Sequence, residues 1–260
     1  MISFIVPVYN KGSVLFKTLF SLLIHLKKSA ITDFEIIVVN DGSTDDSFAE
    51  AVRFKKFNGE TEKIHIFHYT KNIGKGFALR FGFSKSVGDP VVFLDGDMDI
   101  NASQIIKLFT EYNKSRADMV IGSKYHRRSR IHYPFNRYFY SLLLKAVIHL
   151  LFHLQVSDTQ VGLKLFKREV LDQVLPKLVI KRFAVDLELL IVAHMLGFNK
   201  IKEIPVVIKH TSANLSTINV RAVKNFCIDV AAIWYRKNIL RYYTREVKES
   251  FLPSLSVQTA

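Results

Sequence analysis

A single cysteine, Cys227, in 260 residues leaves no internal disulfide and no thiolate metal cluster. Nothing calls for an oxidising compartment, and a reducing cytosol fits. Long apolar runs are missing too. No window of about eighteen residues is free of charge, and the best candidate, residues 139–154, is interrupted by Lys145, His149 and His153. We therefore expect no membrane-spanning helix. The start, MISFIVPVYN, lacks a basic leader, a long apolar region and a small-residue cleavage site, so it reads as a first strand and not as a signal peptide. Internal repeats and low-complexity tracts are absent. Acidic residues are absent from Met119 through Ser157, an interval that carries Lys124, Arg127, Arg128, Arg130, Arg137 and Lys145.

What is present describes a folded chain at the apolar end of the usual range, with 49% hydrophobic and 23% charged residues. A formal net charge of +14 and a pI near 9.7 imply an anionic partner: nucleic acid, an anionic membrane surface or a phosphorylated substrate. The length suits one large domain or two small ones.

The first half alternates short β-rich runs (SFIVPVY, FEIIVVN, KIHIFHY, PVVFLDG, DMVIGSK) with amphipathic segments at Ser13 to Lys28, Phe77 to Ser86 and Ser103 to Lys114. Strands alternating with helices predict an α/β fold, a mostly parallel sheet covered on both faces. In such sheets ligands sit beyond the carboxyl ends of the strands. Three polar segments fall at such ends: VYNKG, NDGSTD and DGDMD.

The run VVFLDGDMDI carries an apolar strand straight into Asp95, Asp97 and Asp99. In extended backbone these alternate residues share one face, and carboxylates packed that closely call for a cation. The competing reading is a polar turn whose acids are solvated or cap the next helix. NDGSTDDS follows a second apolar run, so Asp41 is expected in the cleft, able to accept hydrogen bonds from a base or ribose, with a helix starting near Ser43 or Thr44. NIGKGFALR places Gly74 and Lys75 at a glycine-rich helix opening suited to anions, without the spacing of a P-loop or a dinucleotide fingerprint.

Taken in order, VPVYN, VNDGSTDDS, NIGKGFALRFGF and FLDGDMD resemble the catalytic domain of glycosyltransferase family 2, which has the GT-A fold. GSKY, RYFYS, SDTQVGLKLFKR and FAVDLELL downstream resemble the branch of dolichyl-phosphate mannose and dolichyl-phosphate glucose synthases, DTQVGLKLF most of all. The resemblance implies a divalent cation, Mg²⁺ or Mn²⁺, bridging the acidic cluster to the diphosphate of a nucleotide-sugar. It makes Asp97 the primary metal ligand, turns Asp95 to the nucleotide side and gives Asp99 a further metal contact. It lines the nucleoside pocket with Pro7, Tyr9 and Asp41, and puts Asp158, Gln160 and Lys164 in the acceptor region, with Asp186 and Glu188 on the next helix. Lys124 stands for the family's GSRY arginine, Arg137 opens the RYFYS segment, and Lys209 stands where the family has a phosphate-binding base. Where the family often has a glutamate after VPxYN, this chain has Lys11.

Arg137, Ser141, Lys145, His149 and His153 recur every four residues, one polar stripe on an otherwise apolar segment, and Val220 to Tyr243 is a second basic amphipathic segment carrying Trp234. Such helices suit a bilayer interface; a helix buried between the domain and a dimer partner is the alternative. The two histidines alone are not read as a zinc site.

These readings combine into a single domain over residues 1–250, with a nucleotide-sugar half (1–123), an acceptor and membrane-docking half (124–250) and a flexible tail (251–260). The implied activity is inverting transfer of a hexose, glucose in preference to mannose, from a nucleoside-diphosphate sugar to a polyprenyl or dolichyl phosphate. The implied setting is cytoplasmic, peripheral on the cytosolic face of a membrane, with no nucleic-acid partner and a homo-oligomer left open. The rivals are a family 2 enzyme acting on a saccharide, glycolipid or protein, and a basic surface-binding module without catalysis.

Overall fold

The computed structural model describes residues 1–29, 31–59, 62–97, 103–131, 135–208, 220–245 and 257–260. The first half alternates as expected: β1 (Ile2–Val8), α1 (Gly12–Lys28), β2 (Phe34–Asp41), α2 (Ser47–Asn58), β3 (Ile64–Tyr69), α3 (Lys75–Lys85), β4 (Val91–Leu94), α4 (Ser103–Ser115) and β5 (Met119–Ser123). The second half adds β6 (Arg130–Ile131), α5 (Phe135–Phe152), β7 (Leu163–Phe166), α6 (Arg168–Val174), α7 (Val185–Met195), β8 (Ile201–Pro205), β9 (Val207–Ile208), α8 (Val220–Asn238) and β10 (Gln258–Thr259).

Eight strands form one sheet in the order β10-β3-β2-β1-β4-β7-β5-β8. β7 and β10 run antiparallel to their neighbours and the other pairs are parallel. Order reverses between β1 and β4, so the chain leaves a crevice at the carboxyl ends of those strands, where ligands bind in open α/β sheets. β7 enters antiparallel, with Leu163 opposite Leu94. The loop before β7 therefore lies beside the loop after β4, although nearly seventy residues separate them in sequence.

Both faces are apolar because alternate residues of each strand point to opposite sides. Phe4, Val6 and Val8 of β1 pack with Leu15, Leu19 and Leu22 of α1 and with residues of α2 and α4. Ile5, between them, packs on the other side with Leu79 of α3, the buried length of α7, and Ile148 and Val230 of α5 and α8.

Two expectations need correction. The helix after NDGSTDDS begins at Ser47, later than Ser43 or Thr44, because Asp45 Oδ1 accepts the Ser47 N–H at 3.0 Å and the Ser47 hydroxyl at 2.5 Å, holding the chain in a turn up to that point. The end of the expected flexible tail is a strand: Gln258 and Thr259 pair with His68 and Phe67 of β3, and Lys55 donates to the Ala260 carbonyl at 2.8 Å. β3 would otherwise be an edge with open hydrogen-bonding groups.

Candidate functional site

At the end of β2, Asp41 is 3% exposed. Its carboxylate accepts the Ile73 N–H at 2.8 Å, the Gly74 N–H at 2.9 Å, the Tyr69 hydroxyl at 2.9 Å and the Asn72 amide at 3.0 Å. Burial raises its pKa, outweighing these hydrogen bonds. The expectation that Asp41 stands open in the cleft is thus corrected: its acceptor positions are spent on folding the 72–74 loop around it. Gly74, with φ +114, lies so close to the 181 backbone that a Cβ would fall 2.2 Å from the Lys181 carbonyl oxygen. The glycine-rich opening is pressed between Asp41 and that segment, and this fixes where α3 and its first residue, Lys75, begin.

Lys75 is the hinge of a charge ladder. Its ammonium lies 2.8 Å from Asp95 Oδ1 and 2.8 Å from Asp186 Oδ2. Asp186 in turn accepts from Lys164 at 2.6 Å, and Lys164 also donates to the Val161 carbonyl at 2.6 Å. Burial alone would raise the Asp186 carboxyl, but two ammoniums beside it hold it below the usual carboxylate range. Burial alone would lower Lys75, yet Asp186 and Asp95 raise it above the usual lysine value.

Lys164 was expected in the acceptor region. It is 0% exposed, because its neighbours Leu163 and Leu165 pack on one face of the sheet and turn it to the other, under α7. It supports Asp186 and does not reach the cleft.

Asp95 and Asp97 follow β4 on the acidic loop. The Asp95 N–H donates to the Gly162 carbonyl at 3.0 Å, and Gly162 is obligatory: a Cβ there would lie 1.9 Å from an Asp95 carboxylate oxygen. Asp97 faces Lys11, with 3.6 Å between Lys11 Nζ and Asp97 Oδ2. Each described carboxylate of this loop therefore has an ammonium against it. Asp99 lies outside the described residues, and among those described no three His, Cys, Asp or Glu side chains cluster as a metal-binding group.

Pro7 near the end of β1 and Tyr9 just after it lie beside this loop, Tyr9 46% exposed. The turn after them is stitched to the turn after β2: Thr44 N–H donates to Asn10 Oδ1 at 2.9 Å, Lys11 N–H to Ser47 Oγ at 2.8 Å and Gly12 N–H to Asp45 Oδ2 at 2.9 Å.

Across the crevice, Asp158 accepts both the Lys124 ammonium and the Lys124 N–H at 2.8 Å. Gln160 N–H donates to Asp158 at 3.0 Å, while Gln160 Nε2 is buried without a hydrogen-bond partner. A small cleft there is lined by Lys124, Tyr125, Ser141, Lys145, His149 and Gln160. The Lys145 and Lys124 ammoniums lie 4.5 and 5.0 Å from the centre of the Tyr125 ring. Glu203 of β8 secures the loop by accepting the Ser157 N–H and hydroxyl, each at 2.6 Å.

The structure thus gathers Pro7, Tyr9, Asp41, Gly74, Lys75, Asp95, Asp97, Lys124, Asp158 and Gln160 at one end of the sheet. Lys209 lies outside the described residues, as does the side chain of Arg137, whose backbone is in α5. Tyr69 and Glu203 had no signal in sequence, since Tyr69 meets Asp41 through strand pairing and Glu203 meets a loop some forty-five residues away. Glu188, which the resemblance puts on the helix with Asp186, faces away: it accepts the Val179 and Ile180 N–H groups at 3.0 and 2.8 Å and the Tyr243 hydroxyl at 2.7 Å.

Comparison with known proteins finds a match to the family model "Glycosyl transferase family 2" over residues 3–175. A dolichyl-phosphate beta-glucosyltransferase, ALG5A of Trichomonas vaginalis, is 32% identical over 220 residues, covering 79% of this chain and 64% of the relative. The human dolichyl-phosphate beta-glucosyltransferase is 31% identical over 204 residues, covering 74% of this chain and 62% of the relative. The chain thus spans less than two thirds of the length of these relatives. Among solved structures, mannosyl-3-phosphoglycerate synthase of Rubrobacter xylanophilus superposes with a TM-score of 0.69 at 14% identity, covering 100% of this chain and 84% of that one. Glucosyl-3-phosphoglycerate synthase of Mycobacterium tuberculosis, in complex with Mn²⁺, UDP-glucose and phosphoglyceric acid, gives 0.64 at 20% identity, covering 91% and 79%. At these identities the likeness concerns the fold, which is the GT-A architecture that the order of motifs implies.

Proposed function

We propose, from the premise that this chain belongs to glycosyl transferase family 2, that it moves a hexose of glucose type from a nucleoside-diphosphate sugar to a polyprenyl or dolichyl phosphate, with inversion at the anomeric carbon. The observation that carries this reading is the meeting of two charge systems across one crevice: the acidic loop with its lysines, and the basic cleft of Lys124, Lys145 and His149 with the orphaned amide of Gln160. The first suits a cationic bridge to a diphosphate. The second offers donors to an anion.

Asp95 and Asp97 fit a hard divalent cation in the chemistry of their donor set, two partly open carboxylates that already face cationic groups. They would hold Mg²⁺ or Mn²⁺, which would neutralise charge developing on the departing nucleoside diphosphate. Lys75, fixed by Asp186, sets the orientation of Asp95. Tyr9 and Pro7 would flank the nucleoside, while Asp41 holds the Gly74 loop in place and acts on the donor only through it.

A phosphate acceptor is already anionic near neutrality, so the reaction needs alignment and charge compensation more than proton removal. Lys124 is suited to hold it, anchored by Asp158 at 2.8 Å. Gln160 Nε2, lacking an acceptor, would gain one in a phosphate oxygen.

The lipid-bearing end of such an acceptor calls for a membrane. α5 and α8 pack together and expose Leu143, Leu150, Ile228, Trp234 and Tyr235, with Ile239 just after α8, beside basic residues. No helix among the described residues is long and apolar enough to cross a bilayer. We assign this face to an anionic lipid surface, apolar side chains inserted and cations near the headgroups.

The test incubates purified protein with Mg²⁺ or Mn²⁺, a panel of nucleoside-diphosphate sugars and a short polyprenyl phosphate, with products read by mass spectrometry. A glycosylated lipid phosphate from one donor, missing in Asp97→Ala, is expected. Donor hydrolysis without a lipid product would redirect the acceptor to a saccharide or protein; no turnover of any donor would overturn the catalytic reading.

A further inference from the structure

The two lysines against the acidic loop are not equivalent. Lys75 is 14% exposed and touches two carboxylates at 2.8 Å, one of them Asp186 in the floor of the crevice. Lys11 is 33% exposed and stands 3.6 Å from Asp97. A charge-assisted hydrogen bond is roughly 2.7–2.9 Å long, so the Lys11 contact is an electrostatic pairing without the short bond that would lock it. Its backbone is fixed all the same: Lys11 N–H is bound to Ser47 Oγ and the next amide to Asp45. The Lys11 Cα is thus anchored beside the acidic loop while its ammonium, on four methylene groups, can move.

We infer that Lys11 is a displaceable counter-cation of the acidic loop. It occupies the neighbourhood of Asp97 that a divalent ion takes, and it lowers the affinity for that ion until a phosphate anion draws the ammonium away. The inference rests on the transferase reading, since it needs a metal ion and a diphosphate at this loop.

Charge balance is the physical reason. Among the described residues, Asp95 faces Lys75, which it shares with Asp186, and Asp97 faces Lys11. A divalent ion entering this set adds two positive charges and puts two ammoniums near a like charge. A nucleoside diphosphate supplies compensating negative charge, and of the two lysines only Lys11 has no second carboxylate among the described residues to keep it where it is. Metal ion and diphosphate must then favour each other's binding, because the coupling is reciprocal. A neutral side chain at this position would leave only the coupling that a metal bridge to the diphosphate supplies by itself. Removing the Lys11 charge is thus expected to change how the metal is recruited while leaving the fold intact.

The test is a Mn²⁺ titration followed by electron paramagnetic resonance of the free ion, on wild type, Lys11→Met and Lys11→Arg, with melting curves to establish that each is folded. For a partly exposed charge of this kind, Lys11→Met is expected to bind Mn²⁺ about three- to tenfold more tightly without nucleotide, and Lys11→Arg to stay within about twofold of wild type. Adding UDP or GDP is expected to tighten Mn²⁺ binding more in wild type than in Lys11→Met. Unchanged or weaker Mn²⁺ binding in Lys11→Met overturns the inference, as does equal tightening by nucleotide in both proteins. Either result leaves the transfer assay to judge the activity independently. Mn²⁺ that binds none of the three proteins, with or without nucleotide, overturns both this inference and the assignment of the metal to Asp95 and Asp97.

Discussion

Asp186 and Asp97 each face lysine, yet they belong to different kinds of region. Asp186 is 4% exposed, on a helix packed over the sheet, with ammoniums at 2.6 and 2.8 Å. Asp97 is on a loop at the crevice, with a side chain 22% exposed and a lysine at 3.6 Å. A buried ion pair has no water to take over when a partner leaves, so it behaves as scaffold. A partly wet pair can exchange partners at low cost, so it is available for chemistry. Identical residue types therefore do unlike work, and burial is what separates them.

Removing the buried partner should have the largest effect. Asp186→Ala leaves Lys75 and Lys164 without their shared carboxylate and is expected to cost about 3–5 kcal/mol of stability, read by urea unfolding. A loss under about 1 kcal/mol would collapse the distinction between the two regions.

The counterpart at the crevice is Asp97→Ala. Stability should stay within about 0.5 kcal/mol of wild type, while transfer falls by roughly a hundredfold or more as stabilisation of the leaving diphosphate is lost. A variant that unfolds as easily as Asp186→Ala would place Asp97 in the scaffold.

Tyr243→Phe sharpens the picture on the far side of α7, where Glu188 ties the 179–180 segment to the chain after α8. Losing a buried hydrogen bond to a carboxylate should cost about 1.5–3 kcal/mol, with donor binding unaltered because Lys75 and Asp95 keep their contacts.

Acidity should give the smallest effect, and its sign differs between sites. Asp186 has a depressed pKa, so its stabilising contribution is complete above about pH 4, the unfolded value. It is lost as pH falls through the lower folded value. The stability gap between wild type and Asp186→Asn should therefore narrow below pH 4. Asp41 and Glu188 have raised values, by burial first of all. The folded state holds their protons more strongly, so their contribution weakens as pH rises from about 4 through the folded values. Unfolding curves of Asp41→Asn and Asp186→Asn across pH 3–7 should diverge from wild type in opposite directions.

Much of the site was legible before the fold was known. An apolar run ending in Asp95 and Asp97 announces a strand-end cluster, because strands in a parallel sheet are buried and the residues just beyond their carboxyl ends reach the crevice. The glycine-rich opening of α3 is equally plain. What could not be read was the use of each charge. Asp41 looks like a ligand for a nucleoside until Tyr69, Asn72, Ile73 and Gly74 are found around it. Lys164 sits in a conspicuous motif, but the side of the sheet it faces depends on strand register, where a shift of one residue exchanges the two faces.

Order of motifs, hydrophobic alternation and the strand-end placement of the acidic loop come from the sequence alone, because they depend on neighbours within a few residues. The reversal between β1 and β4, the antiparallel entry of β7 that sets Gly162 against Asp95, and the division of lysines into buried struts and the partly exposed Lys11 were decided by tertiary structure. They depend on contacts between segments far apart in the chain, and on how much water is left around each charge once those segments have packed.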